Sequence, residues 1–103
     1  MTQFDTFPNP IPGSRRAYPL LVCLQSPLMS EHPQQVVAPL VPSGGLGSAG
    51  RLAPVVRIDN VEYAVLIPAL MTMPATELKR RVANLVRDRE ALLGAVDLLF
   101  YGV

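Results

Sequence analysis

The chain has 103 residues, enough for one domain with a thin core; half are hydrophobic and only 17% are charged. That balance excludes intrinsic disorder, and a net charge of +1 excludes a whole-protein pull toward nucleic acid or anionic lipid. A single cysteine leaves no intramolecular disulfide and no cysteine-based zinc cluster, which suits a reducing compartment.

Met1–Thr6 carries Asp5 and no basic start leading into an apolar run, so no export signal is expected and the location expected is cytoplasmic. Gln3–Phe7 reads as a short strand, ended by Pro8, Pro10 and Pro12, which lack N–H donors. Tyr18–Ser26 reads as a second strand. Tyr18, Leu20, Val22 and Leu24 share one face and Leu21 and Cys23 the other, so it is expected to be central and covered on both sides. Ser26-Pro27 opens a loop through Pro33. Gln35–Val41 is a third strand, which Pro39 demotes to an edge or a bulge.

Ser43–Gly50 is glycine-rich but lacks the GK[ST] ending of a phosphate-binding loop and leads into Pro54 and a β-branched run, so it reads as a flexible loop. Pro54–Ile58 and Val61–Ile67 form a hairpin around Asp59-Asn60, two residues that accept the positive φ of a tight turn. The longest apolar run, Tyr63 to Met71, is broken by Pro68 and is about half of what a membrane span requires. After Pro74 a short helical stretch is expected from Thr76 to about Leu85. From Arg87 a stronger helix carries Leu85, Arg89, Leu92, Val96 and Leu99/Phe100 at spacings of three and four, stopping at Gly102. Strands followed by helix give an α+β or small-barrel class in a single domain, residues 1–103.

Catalytic chemistry is hard to assemble. His32 stands alone in a loop, Cys23 sits among core residues, and no His, Cys or acidic pair has metal-ligand spacing, so neither metal nor cofactor is expected. Arg15-Arg16, Lys79-Arg80-Arg81 and Arg87/Arg89 lack interleaved aromatics and read as solvated faces rather than a nucleic-acid groove. The apolar, aromatic end Leu98-Leu99-Phe100-Tyr101-Gly102-Val103 is either the last piece of core or an exposed anchor for a partner.

Six stretches carry a resemblance that runs nearly end to end: Gln3-Phe4, Val22-Cys23-Leu24-Gln25-Ser26, Val36-Val37-Ala38-Pro39-Leu40, Pro54-Val55-Val56-Arg57-Ile58, Met73-Pro74, and the closing Ala95 to Val103. In these the chain resembles the CcdB family, toxins of toxin–antitoxin modules that poison DNA gyrase. The resemblance implies a partly open, SH3-like β-barrel with a C-terminal α-helix, acting as a homodimer. It implies a protein inhibitor rather than an enzyme, one that binds the gyrase A subunit, traps the cleaved-DNA complex, and is removed by a CcdA-like antitoxin with a disordered tail. By the same resemblance the gyrase contacts fall on Tyr101, Gly102, Val103, Asp97, Ser26, Leu28 and Met29, which favours the anchor. Arg15 and Arg16 are the candidates for antitoxin binding, because disordered tails that fold on binding are often acidic. The best-known family members end Trp-Gly-Ile where this chain ends Tyr-Gly-Val, and carry Asn where it has Asp97. The Kid/MazF toxins share this barrel and cleave RNA, so Arg57 with Glu62 or His32 is the alternative, nucleolytic site. A decayed homologue that is no longer toxic is the third reading.

Overall fold

The structure, a computed structural model, describes residues 1–43 and 50–102. Most of the glycine-rich loop (residues 44–49) and Val103 lie outside the described residues. The strands are β1 (Asp5–Pro8), β2 (Leu20–Cys23), β3 (Gln34–Pro42), β4 (Val55–Ile58), β5 (Val61–Val65), β6 (Met71–Pro74) and β7 (Ala83–Asn84), followed by α1 (Arg89–Tyr101). All pairings are antiparallel. The sheet runs β4-β5-β3-β2-β1-β7, with β6 also on β3, and makes a nearly closed barrel. With one α-helix among the described residues, this is a small α+β, SH3-like fold.

β2 is the central strand that its two apolar faces imply. Leu20, Val22 and Leu24 enter the main core with Leu40, Val65, Ile67 and Leu92, whereas Leu21 enters a second cluster with Phe7, Val37, Met73 and Leu78. α1 closes the main core through buried Leu92 and Ala95, flanked by half-buried Leu93, Val96 and Leu99. Burying Leu92 stabilises this contact by about 1.5–3 kcal/mol. The β4–β5 hairpin turns at Asp59 (φ 49°) and Asn60 (φ 66°), both left-handed as that two-residue turn requires.

Two sequence expectations fail. Pro39 lies neither at an edge nor at a bulge: β3 pairs with β2 on one side and with both β5 and β6 on the other. Its carbonyl accepts from Leu66 N–H (2.9 Å), so its N–H position faces the gap where β5 leaves β3 and β6 begins. The missing donor falls where no ladder bond is due. The second failure is the helix expected over 76–85. A 3₁₀ turn covers only Ala75–Glu77, Leu78 is extended and buried, Arg80 is left-handed (φ 61°), and Ala83–Asn84 pair with Thr6 and Asp5. Val82 N–H donates to Thr6 C=O and Leu85 N–H to Phe4 C=O, so the open edge of β1 captures this segment over its helical propensity. β6 and β7 are strands the sequence pattern did not reveal.

Asp5 ties the N-terminus to this captured segment. Its carboxylate accepts from Thr2 N–H, Asn84 Nδ2 (2.9 Å) and Arg81 (3.4 Å). Burial pushes its pKa up, but these hydrogen bonds, the one from Asn84 foremost, outweigh burial and hold it below the ordinary carboxylate value.

Candidate functional site

The segment after β2 is built by two glutamines. Ser26 Oγ accepts from Leu28 N–H (3.2 Å) and caps a 3₁₀ turn, Pro27–Met29, that begins on a proline suited to that position. Gln35, 1% exposed on β3, donates through Nε2 to the carbonyls of His32 (2.9 Å), Met29 (3.2 Å) and Ser30 (3.4 Å), while its Oε1 accepts from Cys23 Sγ (3.3 Å). Gln25 completes the frame: Oε1 accepts from Val36 N–H, and Nε2 donates to the carbonyls of Gln34 and Met29. On this braced loop Leu28 stands 94% exposed and Met29 44% exposed. Apolar side chains exposed on an ordered loop can meet a partner at little ordering cost. The glutamine frame was missed in the sequence; its one signal was a polar residue, Gln35, opening an apolar strand.

The second element is the end of α1. Phe100 and Tyr101 occupy its last turn, 64% and 78% exposed. Gly102 caps the helix in the left-handed conformation (φ 76°), its N–H bonded to Leu98 C=O, with no atom within 4 Å of where a Cβ would stand. Asp97 is exposed one turn earlier, in a helix end that carries no basic residue in its last turn. Val103 lies outside the described residues.

Arg15 and Arg16 follow the proline-rich turn and both are exposed. They are not equivalent. Arg15 is tied to its own loop, Nε to Asn9 C=O (2.8 Å) and Nη2 to Pro10 C=O (3.3 Å).

Of the nucleolytic alternative, the structure brings Arg57 and Glu62 together, as an ion pair across the β4–β5 hairpin at 3.0 Å with both side chains more than half exposed, and leaves His32 apart. His32 is in a different loop, its Nδ1 accepting from Gln34 N–H. Cys23 is buried, and burial pushes its thiol pKa up, away from the thiolate a nucleophile needs. Among the described residues no group of His, Cys, Asp and Glu could hold a metal ion.

The described residues make a nearly closed antiparallel barrel and one α-helix, with an exposed aromatic turn at the helix end and a braced apolar loop after the second strand. The model of the CcdB protein family matches residues 3–102, nearly the whole chain. The chain belongs to the CcdB family. CcdB proteins are toxins of toxin–antitoxin modules, and the fold here is the one the resemblance implied. No curated protein matches the chain. Among the described residues no helix is long and apolar enough to cross a membrane.

Proposed function

We propose that this CcdB toxin binds the A subunit of DNA gyrase, holds it on cleaved DNA, and is released by a cognate antitoxin. The observation that carries the reading is the last turn of α1: Phe100 and Tyr101 stand in solvent on a turn that a left-handed glycine terminates. Large exposed aromatics carry interface energy when they are desolvated in a partner's pocket. Tyr101 supplies a π face for a cation of the partner, Gly102 lets that partner approach without meeting a side chain, and Val103 follows as a small apolar plug. Asp97 on the same helix and Ser26, Leu28 and Met29 on the braced loop are the further contacts proposed. The mode is inhibition by occupancy, without covalent chemistry by this chain, and the toxin acts in the cytoplasm as a homodimer.

Incubating the protein with gyrase, ATP and supercoiled plasmid tests this. Linear DNA released on denaturation, in an amount that depends on both proteins, is the expected result. Cleavage of single-stranded RNA by the protein alone would establish the nucleolytic alternative, and neither product would establish a decayed toxin.

A further inference from the structure

The side-chain amide of Asn84, on β7, joins parts of the chain that the sequence keeps far apart. Its Oδ1 accepts from Val86 N–H (2.9 Å), and its Nδ2 donates to Gln3 C=O (3.0 Å) and to the Asp5 carboxylate (2.9 Å). The first bond acts as a cap. Val86–Asp88 make a 3₁₀ turn that leads into α1, and neither Leu85 before that turn nor Asp88 before the helix offers a side-chain cap. Leu85 is instead buried in the main core, so the acceptor comes from one residue upstream. The other two bonds reach a hook formed by Gln3 and Phe4. Phe4 is left-handed (φ 72°), a conformation unfavourable for a bulky residue that persists only where its surroundings dictate it. Here they do. Its N–H donates to Cys23 C=O (2.6 Å), its C=O accepts from Leu85 N–H (2.9 Å), and its side chain belongs to the main core with Leu92 and Ala95. Gln3 Nε2 donates to Leu24 C=O (3.1 Å), one residue before Gln25, which braces the Leu28 loop through Met29 C=O. A line of bonds therefore runs from the start of α1, through Asn84 and Gln3, to the base of that loop.

We propose that Asn84 is a positioning residue, which fixes the direction of α1 against the loop that carries Leu28 and Met29. Resting on the gyrase reading above, its role is to let Tyr101 at the helix end and Leu28 on the loop meet one surface of gyrase together. Contacts already in register before binding cost less ordering when the complex forms. The bonds of Asn84 lie at one end of the helix and the contacts they serve at the other. Val86 and Tyr101 are separated by about 20 Å along the helix axis, so a rotation of about 5° at Val86 displaces Tyr101 by about 2 Å. Leu92, Ala95 and their half-buried neighbours hold the helix on the barrel, and Asn84 sets the angle at which it leaves the sheet.

Amide residual dipolar couplings and affinity for the gyrase A subunit, measured on the same proteins, test the proposal. In the parent the couplings of α1, the Leu28 loop and the barrel should fit one alignment. In Asn84→Ala those of α1 should depart from it while those of β2 and β3 stay, and gyrase affinity should fall about tenfold in molecules that remain folded. Gln3→Ala cuts the same line on its other side, so it should weaken binding alike and add little in the double variant. Ile58→Val, a truncation of similar cost at a buried position of the β4–β5 hairpin, should leave both readouts as in the parent. Melting curves establish that each protein is folded, and Gln3→Ala stands in if Asn84→Ala is not. Unchanged helix couplings, parent affinity in the variant, or an equal loss in Ile58→Val would overturn the proposal. A parent that does not bind gyrase would remove the toxin reading, and the couplings alone would then decide whether Asn84 orients the helix.

Discussion

Asp5 shows how one buried carboxylate makes stability depend on pH. Its native pKa is lowered, so its contribution is fully present above the unfolded value near 3.9 and is lost as pH falls through the lower native value. Asp5→Asn should destabilise the protein by about 1–3 kcal/mol at pH 7 in urea melts, and the gap to the parent should shrink below about pH 4. A gap that is constant with pH would mean that the carboxyl has the same pKa in the native and the unfolded chain. Gln35 works through geometry instead. Gln35→Ala leaves three carbonyls short of a donor beside β3, and should lower stability by about 1–3 kcal/mol in the same melts. Because those carbonyls belong to the loop that presents Leu28, gyrase poisoning should fall by more than the stability loss accounts for.

At the scale of elements, residues 76–85 show where pattern reading runs out. Ala75–Glu77 begins as a helix would, and nothing local forbids continuation. What decides the outcome is the unpaired edge of β1, a partner from the other end of the chain. Arg80 gives a direct check. In a helix Arg80→Gly would destabilise by about 1 kcal/mol, whereas at φ 61° relief of the left-handed conformation offsets that loss, so thermal melting should show a change near zero or a small gain. The elements that were legible in the sequence are those whose signals are local: the two-faced strand at Leu20–Cys23, the Asp59-Asn60 hairpin, and α1 with its stop at Gly102. Pro39 was misread because a strand flanked by two successive partners has one place where a missing N–H does no harm, and register alone reveals it. In the same way Lys79 and Arg80 gave a charge run in the sequence, and only the fold sets them against Arg15. The helix end was legible as an ambiguity between core and anchor, since burial is a tertiary property.

For the whole molecule, a thin barrel that is half hydrophobic by composition leaves apolar side chains in solvent away from the proposed gyrase contacts, Val55, Val61, Val82 and Val86 among them. Pairing that covers some of them is expected. Sedimentation velocity at micromolar concentration should give a species of twice the 11.2 kDa chain mass; a monomer would exclude the dimer.

The central claim is that the end of α1 is a contact surface rather than core, and deleting Tyr101–Val103 tests it most directly. The lost residues include an exposed aromatic and the helix cap, so the truncated protein should melt within a few degrees of the parent, consistent with about 1 kcal/mol. In the gyrase cleavage assay the same truncation should abolish linear DNA, and Gly102→Arg should act alike, by placing a long side chain where the partner must approach. A truncated protein that melts many degrees lower, or one that melts normally and still yields gyrase-dependent breaks, would contradict it.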